Sequence, residues 1–501
     1  MLHKKFSLAI IFAILFLSFI PLSQAQSVSG TVLDNKTRET IPFATVQIGE
    51  NYGVVTNQEG DFEIKTAGFS PTDSLIFSFM GYERKAIAIK DFTQKEIYLE
   101  KNVQELDEVL VMTQQLTAME VMQKVVENLD KNYDNSLTGF TVFNRNKFLN
   151  TPQQLLIEFK NKRKDFLDKK ETEELNRIMD SLNEANKEKT SSYYESELVE
   201  IYFGKKDTAK ARMIKATRLV NEEESTSMDN LKDTVLETLL KKMKSSNTFK
   251  VRTGIIGIAD SIEANEMIVE EDEIDSTQTS IRSYRYNLSN FGFHQKKGMG
   301  FVTDLKKYNY TIDDISLFNG EVVYKISFKP DTGLFSGNGK MSGNMYVSAD
   351  TFAVLMADYQ FAEGKHGTNL NLKFLFGVAF KEKGKSGKII FQKNDYGKYI
   401  PKYIKKENAF YIFMKRPFVF KENDDNKKDR MKIKFRVTIE MEQEETQEWL
   451  VVSNKPINET AFAAFEENEG VEVQKVKKYD PEIWKDYNIL APTEAIREYE
   501  Y

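Results

Sequence analysis

The chain has 501 residues, no cysteine and a formal net charge of −6, and its length suits two or three domains. The missing cysteines exclude disulfides, thiolate chemistry and a lipid-modified N-terminal cysteine. Basic and acidic residues are interspersed, which argues against a nucleic-acid partner, because such a partner requires a basic face.

The first predicted element is an export signal, residues 1–25. Lys4 and Lys5 precede the apolar run FSLAIIFAILFLSFI, and the small residues SQA follow it, so we expect cleavage between Ala25 and Gln26. The alternative is an uncleaved membrane anchor, for which the run is short. Removing the two lysines takes the formal charge from −6 to −8. The sequence therefore predicts an exported periplasmic protein that is associated with the outer membrane.

Residues 26–112 alternate apolar and polar residues in short segments separated by turn residues, which is typical of β-strands. In DFEIKT, Phe62 and Ile64 share the inward face. DSLIFSFM carries apolar residues on both faces, so we expect it to be a central strand. Gly53 and Gly60 are expected at hairpin ends, where backbone freedom is needed. About seven short strands of this kind predict a small β-sandwich.

A family resemblance rests on three segments of this region. VSGTVLDNKTRETIPFATVQIGENYGVVTNQEGDFEI, SLIFSFMGYERKAI and LDEVLV resemble the carboxypeptidase-regulatory-like domain of Bacteroidota envelope proteins, over residues 27–112. The resemblance implies a seven-stranded transthyretin-like sandwich that serves as an accessory module and is not itself the peptidase. In that group the module often precedes the plug of TonB-dependent receptors, but no plug-like segment follows Met112.

Enzyme hypotheses lack the residues that they need. His294 and His366 are the only histidines beyond the leader, and neither has a Glu at zinc-ligand spacing. A G-x-S-x-G nucleophile elbow is absent from the sequence. GLFSGNGKMS departs from a phosphate loop, because Gly333 lies one place too early and Met341 replaces the magnesium-binding Ser or Thr, so we interpret it as a hairpin. The acidic runs NEEES and EEDEID lack the ligand spacing of a calcium loop. We therefore predict no catalysis, no metal and no cofactor.

A helix is predicted at the start of the second half, in TAMEVMQKVVENLDKNY. Thr117 and Glu120 have the spacing of a capping box. The pattern favours a core-packing helix, with a membrane or partner helix as the alternative. The apolar residues on one face are Ala118, Val121, Met122, Val125, Val126 and Leu129.

Residues 152–189 follow the predicted strand GFTVFNRNKF and form a highly charged segment with a narrow apolar stripe. We expect a helical insertion here, either a helical hairpin or a long helix lying on the sheet. The alternative is a projecting arm that docks a partner. YESELVEIYF and KARMIKATRLV then predict a pair of strands. A further helix is predicted with one apolar face, formed by Leu231, Val235, Leu239 and Met243.

Strands dominate from Ser283 onward, in SYRYNL, EVVYKISFK, NMYVSADTFAVLMADYQF, GKIIFQK, AFYIFMK and KIKFRVTIEME. Polar turns separate them, which predicts an antiparallel meander. Phe435, Val437 and Ile439 form one apolar row, and we expect a curved sheet to bury this row against the Thr117 helix. The predicted fold is mainly β, α+β overall.

Residues 113–490 are predicted to form a half-barrel-like α+β domain, with 491–501 as a tail, and the chain from about 117 to 490 resembles a family of uncharacterised Bacteroidota envelope proteins. The matching segments are VENLDKNYD, FNRNKF, YESELVEIYFGKK, YRYNL, VVYKISFKP, GNMYVSADTFAVLMADY and PEIWKDYNILAPTEAIREY. Their order is similar to the half-barrel of periplasmic lipoprotein carriers, in which a curved sheet holds acyl chains against helices. The charged insertion departs from that pattern and puts an open cavity in doubt.

Four functions remain after these steps. The first is a non-enzymatic module that binds another outer-membrane or periplasmic protein, and the second is a carrier of lipid or lipoprotein. A small outer-membrane barrel and a peptidase are less favoured. Thr208 and Ser261 lie in Asp-Ser/Thr-apolar contexts that resemble the Bacteroidota O-glycosylation acceptor, with coincidence as the alternative.

Overall fold

The structure is a computed structural model of the chain. It describes residues 27–102, 116–133, 136–160, 167–204, 208–219, 248–263, 299–318, 321–333, 338–423, 430–468 and 470–499. Several sequence predictions lie outside these residues. They are the leader with Ala25 and Gln26, the helix around Leu231, the strand at 283–288 and His294.

Seven short strands build the N-terminal module, residues 27–102. They are β1 (Ser27–Asp34), β2 (Thr45–Ile48), β3 (Tyr52–Val55), β4 (Asp61–Lys65), β5 (Ser74–Ser78), β6 (Lys85–Ala88) and β7 (Glu96–Leu99), with a 3-10 turn at Ile89–Asp91. One sheet has the order β4-β1-β7, and the second has the order β6-β5-β2-β3. The DSLIFSFM segment supplies β5, which lies inside its sheet as predicted.

Period-2 alternation places the module's apolar side chains between its two sheets. Phe62 and Ile64 are buried, as their spacing predicts. Gly60 has a φ of +82° and supports a turn, as expected. Gly53 is different, because it lies inside β3 rather than at a hairpin end. A Cβ at Gly53 would lie 2.6 Å from the Val46 carbonyl oxygen, so this glycine permits close strand contact.

The rest of the chain contributes fourteen strands, most of them to one large sheet. They are β8 (Thr138–Phe159), β9 (Ser191–Phe203), β10 (Ala209–Leu219), β11 (Thr248–Thr253), β12 (Ile256–Glu263), β13 (Tyr308–Phe318), β14 (Glu321–Pro330), β15 (Met341–Ser348), β16 (Val354–Phe361), β17 (Asn369–Leu372), β18 (Val378–Lys393), β19 (Tyr399–Glu422), β20 (Lys432–Pro456) and β21 (Val473–Val476).

The large sheet has the strand order β21-β10-β9-β8-β20-β19-β18-β16-β15-β14-β13. All of these pairings are antiparallel except that of β10 with β21. The sheet is open, because no ladder among the described residues joins the edge strands β21 and β13. The strands β17 and β11 add to the far ends of β18 and β19, and β12 pairs with β11. The predicted antiparallel meander is thus present in the described strands from β13 to β20.

Six short or medium helices accompany the sheet among the described residues. None of them has the length and apolar content needed to cross a membrane. They are α1 (Ala118–Asn132), α2 (Lys169–Asn186), α3 (Gly300–Thr303), α4 (Lys373–Phe376), α5 (Glu459–Ala464) and α6 (Glu494–Arg497), with 3-10 turns at Leu305–Lys307 and Pro481–Trp484.

Helix α1 begins and packs as its sequence predicts. The Thr117 side chain accepts from the Glu120 backbone NH, and the Glu120 carboxylate accepts from the Thr117 NH at 2.8 Å, which completes the capping box. Its buried apolar residues are Val121, Met122, Val125 and Leu129, whereas Ala118 and Val126 are half-buried. The four buried residues join a large cluster with sheet residues that include Ile326, Ile404 and Trp449. This side of the sheet is called the α1 face below.

The prediction that Phe435, Val437 and Ile439 pack on α1 is wrong. Phe435 instead contacts a separate cluster that contains Phe159 and Leu175 of α2. The reason is length. The strand β20 has 25 residues and spans about 85 Å, whereas the 15 residues of α1 span about 22 Å. Helix α1 covers only the far end of β20, near Trp449.

The segment 152–189 is helical only in part. Residues 152–159 continue β8, and Phe159 pairs with Phe435 of β20. The helix that follows, α2, lies along the edge of β8 beyond its pairing with β9. Asn183 accepts from the Leu155 NH at 2.8 Å, and Asn176 bonds both backbone groups of Phe159. The two asparagines therefore satisfy an edge that would otherwise expose backbone groups.

The N-terminal module and the large sheet share one core on the face opposite α1. Phe77 of the module packs in the same cluster as Tyr403, Leu450 and Leu490. The C-terminal segment closes this core from outside. Asn57 donates to the Pro492 carbonyl at 3.1 Å, and a buried arginine of β8, Arg145, donates to the Leu490 carbonyl at 2.9 Å.

Candidate functional site

A row of polar residues crosses four neighbouring strands on the α1 face. Residues directly opposite one another in an antiparallel ladder share a face, and Glu195, Asn146, Gln447 and Lys406 lie opposite one another on β9, β8, β20 and β19. The flanking rows hold further polar residues on the same face. Together these residues form the polar girdle, defined as Asn144, Asn146, Glu195, Glu197, Lys406, Asn408, Glu445 and Gln447.

The girdle separates two apolar regions of the sheet. Towards α1, Trp449 and Ile404 lie in the buried apolar cluster that contains Val125. Away from α1, the same face carries apolar side chains that are only half-buried. This second set is called the outer apolar row and comprises Phe380, Phe410, Ile412, Met414 and Met441. The face therefore changes from apolar to polar and back to apolar along the strands.

Three asparagine side chains of β8 present buried amide oxygens to this face. Asn144 and Asn146 are 1% and 7% exposed, and Asn150 follows at the same alternation. The Oδ1 atoms of all three are buried without a hydrogen-bond partner, although the Asn144 amide donates to Glu197 at 3.1 Å. An unpaired buried polar atom costs about 1–3 kcal/mol, so each position is destabilising unless something else donates to it.

Two ionisable groups of the girdle have perturbed pKa values. Burial lowers the pKa of Lys406 to about 8, and the nearby positive charge of Lys385 acts in the same direction. Burial raises the pKa of Glu445, against the opposing effects of Lys406 and Asn408. The two groups lie on adjacent strands and face the same side, offset by two residues, because Glu445 is opposite Asn408 and Lys406 is opposite Gln447. Shifts of this origin in a cleft identify candidate binding residues.

The two ends of the central row are closed by different contacts. At the β10 end, Arg218 forms an ion pair with Glu195 at 2.7 Å. At the β18 end, Gly387 lies opposite Lys406, and a Cβ there would approach the Tyr359 ring to 2.5 Å. Burial raises the pKa of Tyr359 to about 12, so its hydroxyl is neutral at physiological pH. The central row therefore ends at the Glu195–Arg218 ion pair on one side and at the ring of Tyr359 on the other.

A depression of about 360 Å³ lies on the opposite face of the sheet, next to Phe43 of the module. Its charged residues already have partners, because Lys405 pairs with Glu407 at 2.6 Å and Ser386 donates to the same carboxylate at 2.7 Å. The girdle has buried acceptors that lack donors, whereas this depression has satisfied charges. The girdle is therefore the stronger candidate.

The sites predicted from sequence do not converge on the girdle. His366 is exposed, and its Nδ1 lies 3.0 Å from the Gly367 carbonyl oxygen. Thr208 and Ser261 are both exposed; Thr208 directly precedes β10, and Ser261 lies on β12. GLFSGNGKMS lies between the antiparallel strands β14 and β15, and its residues 334–337 fall outside the described residues. The described residues contain no group of three or more His, Cys, Asp or Glu that could hold a metal ion.

Sequence reasoning missed the girdle, although one signal was available. In GFTVFNRNKF, Asn144 and Asn146 occupy alternate positions of the predicted strand. Two amide side chains on one face of a buried strand are unfavourable in a purely apolar core, because buried polar groups need hydrogen-bond partners. The charged partners from β19 and β20 are about 250–300 residues away in sequence, and only the register brings them to the same row.

The N-terminal part of the chain has a recognisable family match. Residues 28–111 match the model of the CarboxypepD_reg-like domain. This finding agrees with the resemblance of residues 27–112 and covers the seven strands of the module. No curated protein matches the chain.

Two solved structures are similar to the chain at low TM-scores. One is a DUF1329 family protein from Desulfovibrio piger, with a TM-score of 0.20 and 8% identity, covering 69% of this chain and 98% of that chain. The other is lipovitellin, in a structure titled for its lipid–protein interactions, with a TM-score of 0.23 and 6% identity, covering 69% of this chain and 28% of that chain. At such TM-scores neither match informs the function of this protein.

Proposed function

We propose that this protein is a non-enzymatic binding module of the cell envelope, and that its polar girdle holds a polar group of the bound partner. The observation that carries the proposal is the pair of buried amide oxygens on Asn144 and Asn146 that lack donors, with the Asn150 oxygen beyond the girdle on the same face. A bound segment of another envelope protein supplies such donors through its backbone NH groups. The matched accessory domain at residues 28–111 supports a binding or accessory role.

A leucine substitution tests this site. Asn146→Leu keeps the side-chain size but removes the buried oxygen, so the free energy of unfolding should not fall. Captured material, measured by native mass spectrometry of protein purified from its own envelope, should be lost. Asn454→Leu is the matched control, because its unpaired amide nitrogen lies outside the girdle. Retention of all captured material by Asn146→Leu would contradict the proposal.

A carrier of lipid or lipoprotein is the second candidate, and the outer apolar row favours it. Phe410, Ile412 and Met441 remain half-buried beside the girdle, which suits an amphipathic molecule with its head on the polar residues. Under this proposal, organic extracts of the purified protein contain acyl chains, and Ile412→Asn lowers their yield. Extracts without acyl chains, together with a captured protein, would favour the first candidate.

The non-enzymatic character is part of the proposal and has its own assay. Purified protein with added zinc should not release C-terminal residues from peptides, because His366 is an exposed loop residue without neighbouring ligands at zinc spacing. Turnover that His366→Ala or His294→Ala abolishes would overturn this part.

Glycosylation at Thr208 and Ser261 is a further proposal that would mark the protein as exported. Both residues are exposed, as an acceptor must be. An intact mass that equals the mass of the unmodified chain, for protein from its native host, would refute it.

A further inference from the structure

Two loops expose large apolar side chains beyond the far end of β19. The β11–β12 turn carries Ile255, which is 93% exposed, and α4 between β17 and β18 carries Phe374, which is 98% exposed. Neighbouring residues share this exposure. The six residues are called the apolar tip and are Ile255, Ile256, Ile258, Phe374, Leu375 and Phe376.

One arginine of β19 holds the two loops side by side. Arg416 donates from Nε and Nη2 to the hydroxyl and carbonyl of Thr253, at 2.9 Å each, and from Nη1 to the Phe376 carbonyl at 2.6 Å. The Gly254 NH also donates to the Pro417 carbonyl at 3.3 Å. The two exposed loops therefore form one continuous surface.

A glycine fixes the loop that carries Phe374. Gly377 has a φ of +64°, and a Cβ at this position would lie 2.2 Å from the Lys415 carbonyl oxygen. The same two residues are joined by a bond of 2.7 Å from the Lys415 NH to the Gly377 carbonyl. Because only glycine fits this turn without strain, α4 is held in its protruding position by backbone geometry.

The charge of this end of the sheet is opposite to that of the whole chain. The chain carries −6, yet the segments 248–258, 369–381 and 410–421 contain no Asp or Glu. Lys373 also lies 4.1 Å from the centre of the Phe413 ring, so a cation and aromatic rings are adjacent. The cations of the three segments are Lys250, Arg252, Lys373, Lys381, Lys415, Arg416 and Lys421.

We propose that the apolar tip inserts into the surface of a bilayer that contains anionic phospholipid. Apolar side chains ringed by cations suit the boundary between headgroups and acyl chains, because the cations meet lipid phosphates while the tip leaves water. Asp260 of β12 pairs with Lys250, and the remaining cations leave this surface net positive, which favours anionic lipid over a protein surface of mixed charge. The attachment is peripheral, and it adds to the binding function proposed for the girdle without depending on it.

Vesicle flotation tests the proposal with the full chain. The wild-type protein should float with vesicles of phosphatidylethanolamine and phosphatidylglycerol, and less with phosphatidylcholine alone. The double change Phe374→Ser with Leu375→Ser should weaken binding by at least about tenfold without lowering Tm, because both side chains are exposed. Arg252→Glu with Lys415→Glu should weaken binding to anionic vesicles only, and added salt should do the same.

Tyr396→Ser is the matched control, because Tyr396 is 67% exposed in the turn between β18 and β19 at their other end, and its binding should equal that of wild type. Fluorescence gives a second readout. The fluorescence emission of the tryptophan in Phe374→Trp should shift to the blue when anionic vesicles are added. The emission of the buried Trp449 and Trp484, measured in the wild-type protein, is the reference. Absent flotation of wild type, equal flotation of the double serine variant, or self-association through the tip without vesicle binding would each overturn the proposal.

Discussion

Lys402 joins the N-terminal module to the large sheet and gives the sharpest prediction. The residue is fully buried, and its ammonium donates to the Gly53 carbonyl of β3 at 2.6 Å and the Val451 carbonyl of β20 at 2.8 Å. Burial lowers the pKa of Lys402 to about 7. We expect this residue to make the stability of the protein depend on pH.

The sign and size follow from proton linkage. The unfolded lysine has a pKa near 10.5, so between about pH 7 and pH 10.5 the unfolded chain holds more proton than the folded chain at this site. Stability should therefore rise with pH across this window, and the increment should be lost progressively as the pH falls from about 10.5 to about 7. The full span amounts to about 5 kcal/mol, of which about 2 kcal/mol falls between pH 7 and pH 9.

Urea denaturation at pH 7 and pH 9 measures this increment. In Lys402→Met the free energy of unfolding should gain about 2 kcal/mol less than wild type between the two pH values. Two unpaired carbonyls change the absolute stability of the variant but not its pH dependence. Lys170→Met, at an exposed lysine of α2, should follow wild type. Identical pH dependence in wild type and Lys402→Met would refute the reasoning.

The buried face of α1, the capped edge of β8 and the leader each give a direct test. Val125→Trp should lower the free energy of unfolding by about 1–3 kcal/mol in urea titrations, because Val125 has no exposed surface, and an unchanged value would show open space beneath the helix. Asn176→Ala with Asn183→Ala should speed amide exchange in β8 residues 155–159, whereas unchanged exchange would contradict the capping role. N-terminal mass spectrometry should find Gln26 as the first residue, and a retained Met1 would exclude cleavage.

The sequence pattern correctly predicted those strands and helices that are stabilised mainly by residues close to one another in sequence. The strands of the module followed from period-2 alternation, and α1 followed from its capping box and one apolar face. In both cases the burial of each side chain depends on near neighbours in sequence. The pattern could not show that Gly53 serves close strand contact rather than a turn, because that need arises from the Val46 carbonyl of the paired strand β2.

Distant pairing decided what local pattern could not. Residues 152–159 open the charged segment 152–189 that was predicted to be helical, yet they extend β8 because β20 pairs with them, with Phe435 opposite Phe159. The same long register assembled the polar girdle from β9, β8, β20 and β19. The apolar tip was hidden for a different reason. The apolar composition of KFLFG is typical of a core segment, and only the folded structure shows that Phe374 is exposed to solvent.

The docked C-terminal segment has a consequence for the order of folding. Asn57 and Pro492 are separated by 435 positions, so their contact forms only after nearly the whole chain has emerged. Contacts of such high sequence separation slow folding and leave intermediates with exposed apolar surface. The N-terminal module is synthesised first. Until Leu490 has been synthesised and packs against it, part of the apolar core that the module shares with the large sheet stays exposed to solvent. A chain cut short near its end would thus be an immediate substrate for quality-control proteases, and a chaperone would have to shield the module during synthesis.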